Sequence, residues 1–422
     1  MTTPLPSAWN LYNLSASPFW QQPLAEGDAT HPMSLFVGRK AELAHMTDTI
    51  AGAGNSGTRQ AVAGQPGIGK TTLVKACKAW ARDAGYFTVD SIVPIVSDDT
   101  AESLFGRFLG TVYDTILANR PATANNRAMQ AAQVLVRASR ETLRGGGLSA
   151  LGFGGSASSS VTTTAPRDML LDGPRVLRDL IDLVTTSDGR GVLVHVNNLE
   201  NLSDADAATA GTILRDLRDP MLMHNGLHVI FVGTPEAIAA AITVHEQVRT
   251  TVQVYQVNPV PTDDVHTMLR ARYAHLRARD DTPVVPPVTE DAVAQLYELF
   301  RGDLRGLLSA LEDGVRPNIG LTGGANSMTF EQLRPALQRR YADAMDVMRD
   351  ESRIEKLFRW SRHGADTLQT QATLQTLWGL RQSSVSTALT ALRADGYVVQ
   401  LPRRTGEPTT YALSGVSRLA LG

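Results

Sequence analysis

The 422-residue chain has one cysteine, Cys77, and only five lysines, at positions 40, 70, 75, 78 and 356. A single thiol excludes an internal disulfide framework and suits a reducing compartment. No stretch reaches the roughly 18 consecutive apolar residues that a membrane-crossing helix needs. The opening MTTPLPSAWN lacks the basic-then-apolar pattern of a secretory leader, so the expectation is a cytoplasmic protein without a membrane partner. Charge of one sign is scarce as well, with 40 basic and 42 acidic residues and a net charge of −2. That balance hides a division. Residues 353–422 carry nine Lys/Arg against four acids, or +5, which leaves −7 for the remainder. The C-terminal segment is therefore the candidate for contact with a polyanion. The length exceeds the roughly 250–300 residues of a single core and predicts two or three domains.

Among so few lysines, Lys70 stands in a pattern. Gly64, Gln65, Pro66, Gly67, Ile68, Gly69, Lys70 and Thr71 fit G-x-x-x-x-G-K-[ST]. The apolar end of RQAVA precedes them. TLVKACKAWARDAG follows, with Leu73, Cys77 and Trp80 on one helical stripe and Gly85 as a stop. Strand, glycine loop and helix in this order let successive backbone N–H groups converge on phosphate oxygens at a helix N-terminus. Lys70 is expected to reach the β- and γ-phosphates of a nucleotide. Thr71 is expected to offer its hydroxyl to Mg²⁺, with Thr72 less direct. Cys77 reads as a small core residue.

Upstream, LFVGRKAEL (35–43) leads into a helical pattern. With the phosphate loop about 25 residues on, this element resembles AAA+ ATPases of the origin-recognition type, and related signalling and transposition ATPases. The resemblance extends over about 36–415 and implies that Val37, Gly38 and Arg39 lie near the adenine. Further strands are expected at 85–96, 192–201 and 227–238, with amphipathic helices at 171–189 and 203–219 between them. The alternation predicts an α/β parallel sheet flanked by helices, with functional loops at the strand ends. Thr234, ending the last of these strands, matches the family's first sensor; Thr-Pro-Glu is equally a strong helix start. Arg249 matches the trans-acting arginine finger, or is a surface charge. Gly302-Asp303-x-Arg305 matches the second sensor, which places Arg305 on the γ-phosphate; read plainly, it is a helix start with an exposed arginine.

Domain bounds follow: an N-terminal extension over 1–34, the nucleotide-binding domain over 35–259, a helical lid over 260–320, connecting helices over 321–360 and a winged helix over 361–422. An insert at about 121–170 reads as a helix followed by a Gly/Ser-rich tract. Residues 370–415 read as helix, turn, helix and β-hairpin. Ser384 is expected to cap the second helix, with Val385, Ala388, Leu389 and Leu392 buried and Ser386, Thr387, Thr390 and Arg393 outward. Arg381 and the hairpin-tip residues Arg403 and Arg404 complete a surface suited to DNA. A winged helix used for protein contact is the alternative.

What is missing from VLVHVNNLEN (192–201) matters most. The resemblance expects two acids at this strand end, one for Mg²⁺ and one to orient the attacking water. Asn197 and Asn198 stand there. Asn197 offers a carbonyl oxygen without charge, and Asn198 cannot accept a proton at neutral pH. Glu200 is the only nearby carboxylate that could act as base; it is otherwise a helix-entry charge. His195 reads as a packed core residue. The expected protein binds ATP and Mg²⁺, hydrolyses slowly, assembles head-to-tail with copies of itself in a ring or filament, and binds DNA. The alternative is a regulatory or antiviral-type switch ATPase with a protein partner.

Overall fold

Apolar strands alternating with amphipathic helices build a five-stranded parallel sheet in the order β2-β3-β4-β1-β5. The computed structural model describes residues 7–149, 166–197, 199, 202, 204–320, 324–348, 350–401 and 407–422. Contacts gather them into two units. One is Arg39–Pro66 with Lys70–Val257; the other is Met1–Gly38, Gly67–Gly69 and Asn258–Gly422.

The first unit runs α1 (Lys40–Gly52), β1 (Thr58–Ala63), α2 (Lys70–Asp83), β2 (Val93–Pro94), α3 (Ala101–Asn119) and α4 (Arg127–Ser149). It continues with α5 (Pro166–Thr185), β3 (Val192–Asn197), α6 (Asp204–Asp216), β4 (Leu227–Gly233), α7 (Pro235–Ile238), α8 (Glu246–Arg249) and β5 (Gln253–Gln256). β3 and β4 are buried at every residue, as parallel strands covered on both faces must be. On one face Phe105 and Phe108 of α3 and Leu177, Leu180 and Ile181 of α5 pack with Val194, Val196 and Phe231. Leu183 of α5 is only partly buried against this core.

The second strand is shorter than the 85–96 run predicts. Phe87 makes an isolated bridge to Val192, and pairing resumes only at Val93. Between them the buried Lys78 takes the carbonyls of Val89 and Ser91 at 2.8 and 3.0 Å, so this backbone serves an ammonium instead of a ladder. The helix expected in the insert is α4. Its close approach to α3 relies on Gly106, where a Cβ would collide with Ser139 Oγ. The Gly/Ser-rich tract over 150–165 lies outside the described residues.

The second unit holds α9 (Thr262–His275), α10 (Glu290–Leu299), α11 (Leu304–Val315), α12 (Phe330–Val347) and α13 (Glu351–Gly364). After them come β6 (Gln369–Thr370), α14 (Gln371–Trp378), α15 (Gln382–Ala394), β7 (Val398–Gln400), β8 (Thr410–Leu413) and α16 (Gly415–Leu421). The N-terminal segment is part of the lid core: Trp9, Tyr12, Leu14 and Phe19 pack with Val265, Leu269 and Leu311. Asn13 donates to the carbonyls of Arg279 and Thr282. Buried Arg272 donates to Pro18 O and Trp20 O and stacks on Trp20 at 4.2 Å. Its polar partners are what make a buried guanidinium tolerable.

α14, α15 and the antiparallel sheet β6-β8-β7 form a winged helix around Trp360, Leu374, Leu389 and Leu413. β6 and α16 are elements the sequence reading does not contain. α15 also begins earlier than expected. Gly379 (φ +67°) ends α14, and Arg381, in extended conformation, is the N-cap, so Ser384 lies inside the first turn instead of capping it. Among the described residues no helix is long and apolar enough to cross a membrane.

Candidate functional site

The strand order puts three chain segments side by side at the carboxyl edge of the sheet. These are the glycine loop after β1, the end of β3 and the end of β4. Gly64 N donates to Gly233 O at 3.1 Å, locking the loop's first residue to the end of β4. Leu199, fully buried, packs against Gly233, so the chain leaving β3 turns toward the same place. Gly67 and Gly69 have φ of +79° and +91°, a region L side chains avoid. A Cβ on Gly69 would meet nothing within 4 Å among the described residues, whereas one on Gly67 would collide with the Asp303 carboxylate.

Lys70 is 5% exposed. Its Nζ donates to Gly64 O at 2.9 Å and Gln65 O at 3.0 Å, so the ammonium is held against the loop it follows. Two polar atoms nearby are buried without partners among the described residues, Gln65 Nε2 and Asn197 Oδ1. One is a donor within the glycine loop and the other an acceptor at the end of β3. Thr71 and Thr72, in the first turn of α2, are half-buried. Thr234 is the N-cap of α7 and its hydroxyl oxygen accepts from Ala237 N at 3.2 Å. Capping uses the oxygen and leaves the O–H to donate elsewhere, so one threonine has the means for both readings.

Behind β3 the field is positive. Burial pushes Lys78 down to about 8, against a raising influence from Asp90. His195 is driven well below its usual value by burial first and then by Lys78 and Lys75. With 1% exposure it sits in the core as a neutral ring. His228, bonded to Thr58 Oγ1 at 2.9 Å, is lowered to about 4 by burial and then by Arg59. Both folded-state values lie below the ordinary 6.5, so on acidification the unfolded chain takes up protons that the folded chain refuses. The stability from these neutral rings is whole above pH 6.5 and is lost as pH falls toward about 4. Melting temperature is thus expected to fall between about pH 7.5 and about pH 5, with His228 alone removing on the order of 2 kcal/mol at the acid end. A flat profile that His228→Asn does not alter contradicts this.

The remaining expected residues are placed as follows. Arg39 is buried, has φ +54° and donates from Nη1 to Glu42 at 2.9 Å. Val37 and Gly38 are half-buried. Gly38 has φ +74°, a region L side chains avoid, and a Cβ there would displace the Asp264 carboxylate, which it would meet at 2.7 Å. Arg249 ends α8 and is exposed. Arg305 is exposed in the first turn of α11, which Asp303 caps by accepting from Gly306 N at 3.0 Å. Asn198, Glu200, Arg403 and Arg404 lie outside the described residues.

On the winged helix, Arg381, Ser386, Thr387, Thr390 and Arg393 are all exposed. The Thr387 and Thr390 hydroxyls donate to their own helix, to Ser383 O and Ser386 O. The earlier start of α15 adds exposed Gln382 and Ser383 to this surface. Gly379 as a helix stop was the signal that could have found them. Asp395, beside Arg393, is paired with Arg353 at 2.7 Å, which leaves the Arg393 charge uncancelled by its neighbour.

Residues 35–231 match a family model described as AAA ATPase domain. No curated protein matches the chain. Among solved structures it is similar to the Aeropyrum pernix ORC1 protein in complex with DNA, at 14% identity over 91% of this chain and 92% of that one, with a TM-score of 0.42. It is similar to the Aeropyrum pernix ORC2 protein in ADPNP-ADP complexes, at 15% identity over 96% and 95%, TM-score 0.44. Drosophila ORC bound to DNA gives 14% identity over 99% and 94%, TM-score 0.44. Likenesses this remote carry no argument about what this chain binds.

Proposed function

We propose, for a chain whose residues 35–231 match a model of the AAA ATPase domain, an ATP-controlled switch that binds DNA through its winged helix and hydrolyses ATP slowly. The observation that carries the nucleotide reading is the pair of orphaned atoms beside the glycine loop, Gln65 Nε2 and Asn197 Oδ1. Each buried, unpaired polar group costs about 1–3 kcal/mol. A phosphate oxygen would satisfy the donor, and a hydrated cation the acceptor.

In this reading the backbone N–H groups of the loop and of the first turn of α2 bind phosphate, and Lys70 turns its ammonium to the β- and γ-phosphates. Thr71 and Asn197 are the residues that would hold Mg²⁺, and their neutral oxygens fit a cation that arrives with the nucleotide's charge. When bound, Mg²⁺ supplies neutralisation of the phosphate oxygens. Among the described residues no group of three or more His, Cys, Asp or Glu could hold a metal by itself. The Thr234 hydroxyl and Arg305 report the γ-phosphate, and Arg249 completes the site of a neighbouring copy in a head-to-tail ring or filament. The two residues at the end of β3 are amides, and the nearest acid after it that could take the proton of an attacking water is Glu200, three residues beyond Asn197. The bound state therefore outlasts that of a motor.

For DNA, the exposed face of α15 and the arginines Arg381, Arg393, Arg403 and Arg404 supply groove and phosphate contacts. Arg393→Ala is expected to weaken binding of a mixed-sequence duplex about 3- to 10-fold, and to lower the slope of log K against log salt by about one. Fluorescence anisotropy across a salt series measures both. An unchanged slope with wild-type affinity contradicts the DNA reading and favours a protein partner.

A further inference from the structure

α16 belongs to two cores at once. Leu419 is 3% exposed within the lid core, while Val416 and Ala420 pack against both that core and the winged-helix core. The start of α16 is stitched to the winged helix: Ser414 N and Ser417 Oγ both donate to Tyr397 O, at 2.9 and 2.7 Å. Its opposite contact is the chain that leads into α11. A Cβ on Gly415 would meet Phe300 Cδ1 at 2.6 Å, and one on Gly306 would collide with the same ring. The phenyl ring fits between α11 and α16 because both walls are glycine.

Charge closes the arrangement. Arg418 Nη1 donates to Leu299 O at 2.8 Å and its Nη2 pairs with Asp366. The Asp366 carbonyl in turn accepts from Arg301 Nη2 at 3.3 Å. Arg301 is one of three non-glycine residues with positive φ among the described residues, at +53°. Such a conformation persists where the surroundings over-determine it. Leu299 to Asp303, immediately before Arg305, is thus gripped from the C-terminal helix by shape and by charge.

We infer that Phe300 and Arg418 are positioning residues, through which the segment carrying Arg305 sets the winged helix, so that lid and winged helix respond to nucleotide as one body. The inference rests on the proposed role of Arg305 as a phosphate sensor. It goes beyond that role by assigning the route of the signal and the residues that carry it.

Amide hydrogen exchange over 371–394, measured with ATP and with ADP, tests it without DNA. In the wild type, exchange is expected to differ between the two nucleotides by about 3-fold or more. Arg418→Ala and Gly415→Val, which act on charge and on shape separately, are each expected to cut that difference by at least about half while ATP affinity stays within about 2-fold. Arg418→Lys, keeping the charge toward Asp366, restores most of it. A purely structural role would instead raise exchange equally in both nucleotide states, and that result overturns the inference. So does a wild type with no nucleotide-dependent difference, or variants that keep it. A wild type that binds ATP but not DNA removes the DNA reading and leaves this one standing; one that binds no ATP removes both.

Discussion

Replacing Asn197 and Asn198 together by aspartate is expected to raise ATP turnover by roughly 100-fold or more. A missing general base typically costs about 10²–10⁴ in rate, and neither amide can accept a proton at neutral pH. The first position adds a second effect. Asn197 is 9% exposed and its Oδ1 has no partner among the described residues, so a carboxylate there would be poorly hydrated. Against a cation about 4 Å away, one unit charge at an effective dielectric near 20 is worth at most about 4 kcal/mol. The single variant Asn197→Asp should therefore tighten the Mg²⁺ requirement of ATP binding more than it raises turnover, and Asn197→Asp/Asn198→Asp should raise turnover. Without nucleotide the buried charge lowers the melting temperature, partly offset by the positive field of Lys75 and Lys78, which already acts on His195. Phosphate release and melting curves, with and without MgATP, read both effects. Turnover unchanged in the double variant would mean that the acids are not what limits hydrolysis, and would return attention to Glu200.

Lys70→Ala is expected to weaken ATP binding by roughly 10- to 150-fold, the equivalent of one charge-assisted contact worth about 1.5–3 kcal/mol. The ammonium also ties Gly64 O and Gln65 O, so part of the loss comes from loosening the loop before any ligand arrives. Lys70→Arg should not rescue fully, because a planar fork does not replace a compact point charge on a short loop. DNA affinity without nucleotide should stay at its wild-type value in Lys70→Ala, which separates loss of the switch from loss of the fold. Labelled-nucleotide titration against the wild type gives the ratio. An ATP affinity within 2-fold or so of the wild type would mean that the glycine loop does not bind the nucleotide.

The parallel sheet and the phosphate loop were legible because each rests on local rules. Buried strands are apolar throughout, glycine marks positive φ, and a helix stripe repeats every three or four residues. The end of β3 could be placed at the carboxyl edge of the sheet, beside β4, since its position in the alternation of strands and helices did not depend on its chemistry. What was not legible depends on partners distant in sequence. The shortness of β2 comes from Lys78 drawing off two carbonyls. The N-terminal segment joins the lid because Asn13 and Arg272 find carbonyls more than 250 positions away. β6, only two residues long, has no periodicity to detect. α16 reads as a tail of small and apolar residues until Phe300 is seen between Gly306 and Gly415.

In the proposed switch, nucleotide state, more than nucleotide turnover, governs DNA binding. One titration tests it most directly: DNA affinity with ATP, with ADP and with neither, while phosphate release is followed in the same tubes. The prediction is that ATP and ADP give affinities at least about 5-fold apart, with the ATP value holding over a period in which little phosphate appears. Equal affinities in all three conditions, or phosphate release fast enough to erase the ATP state during the measurement, would contradict it.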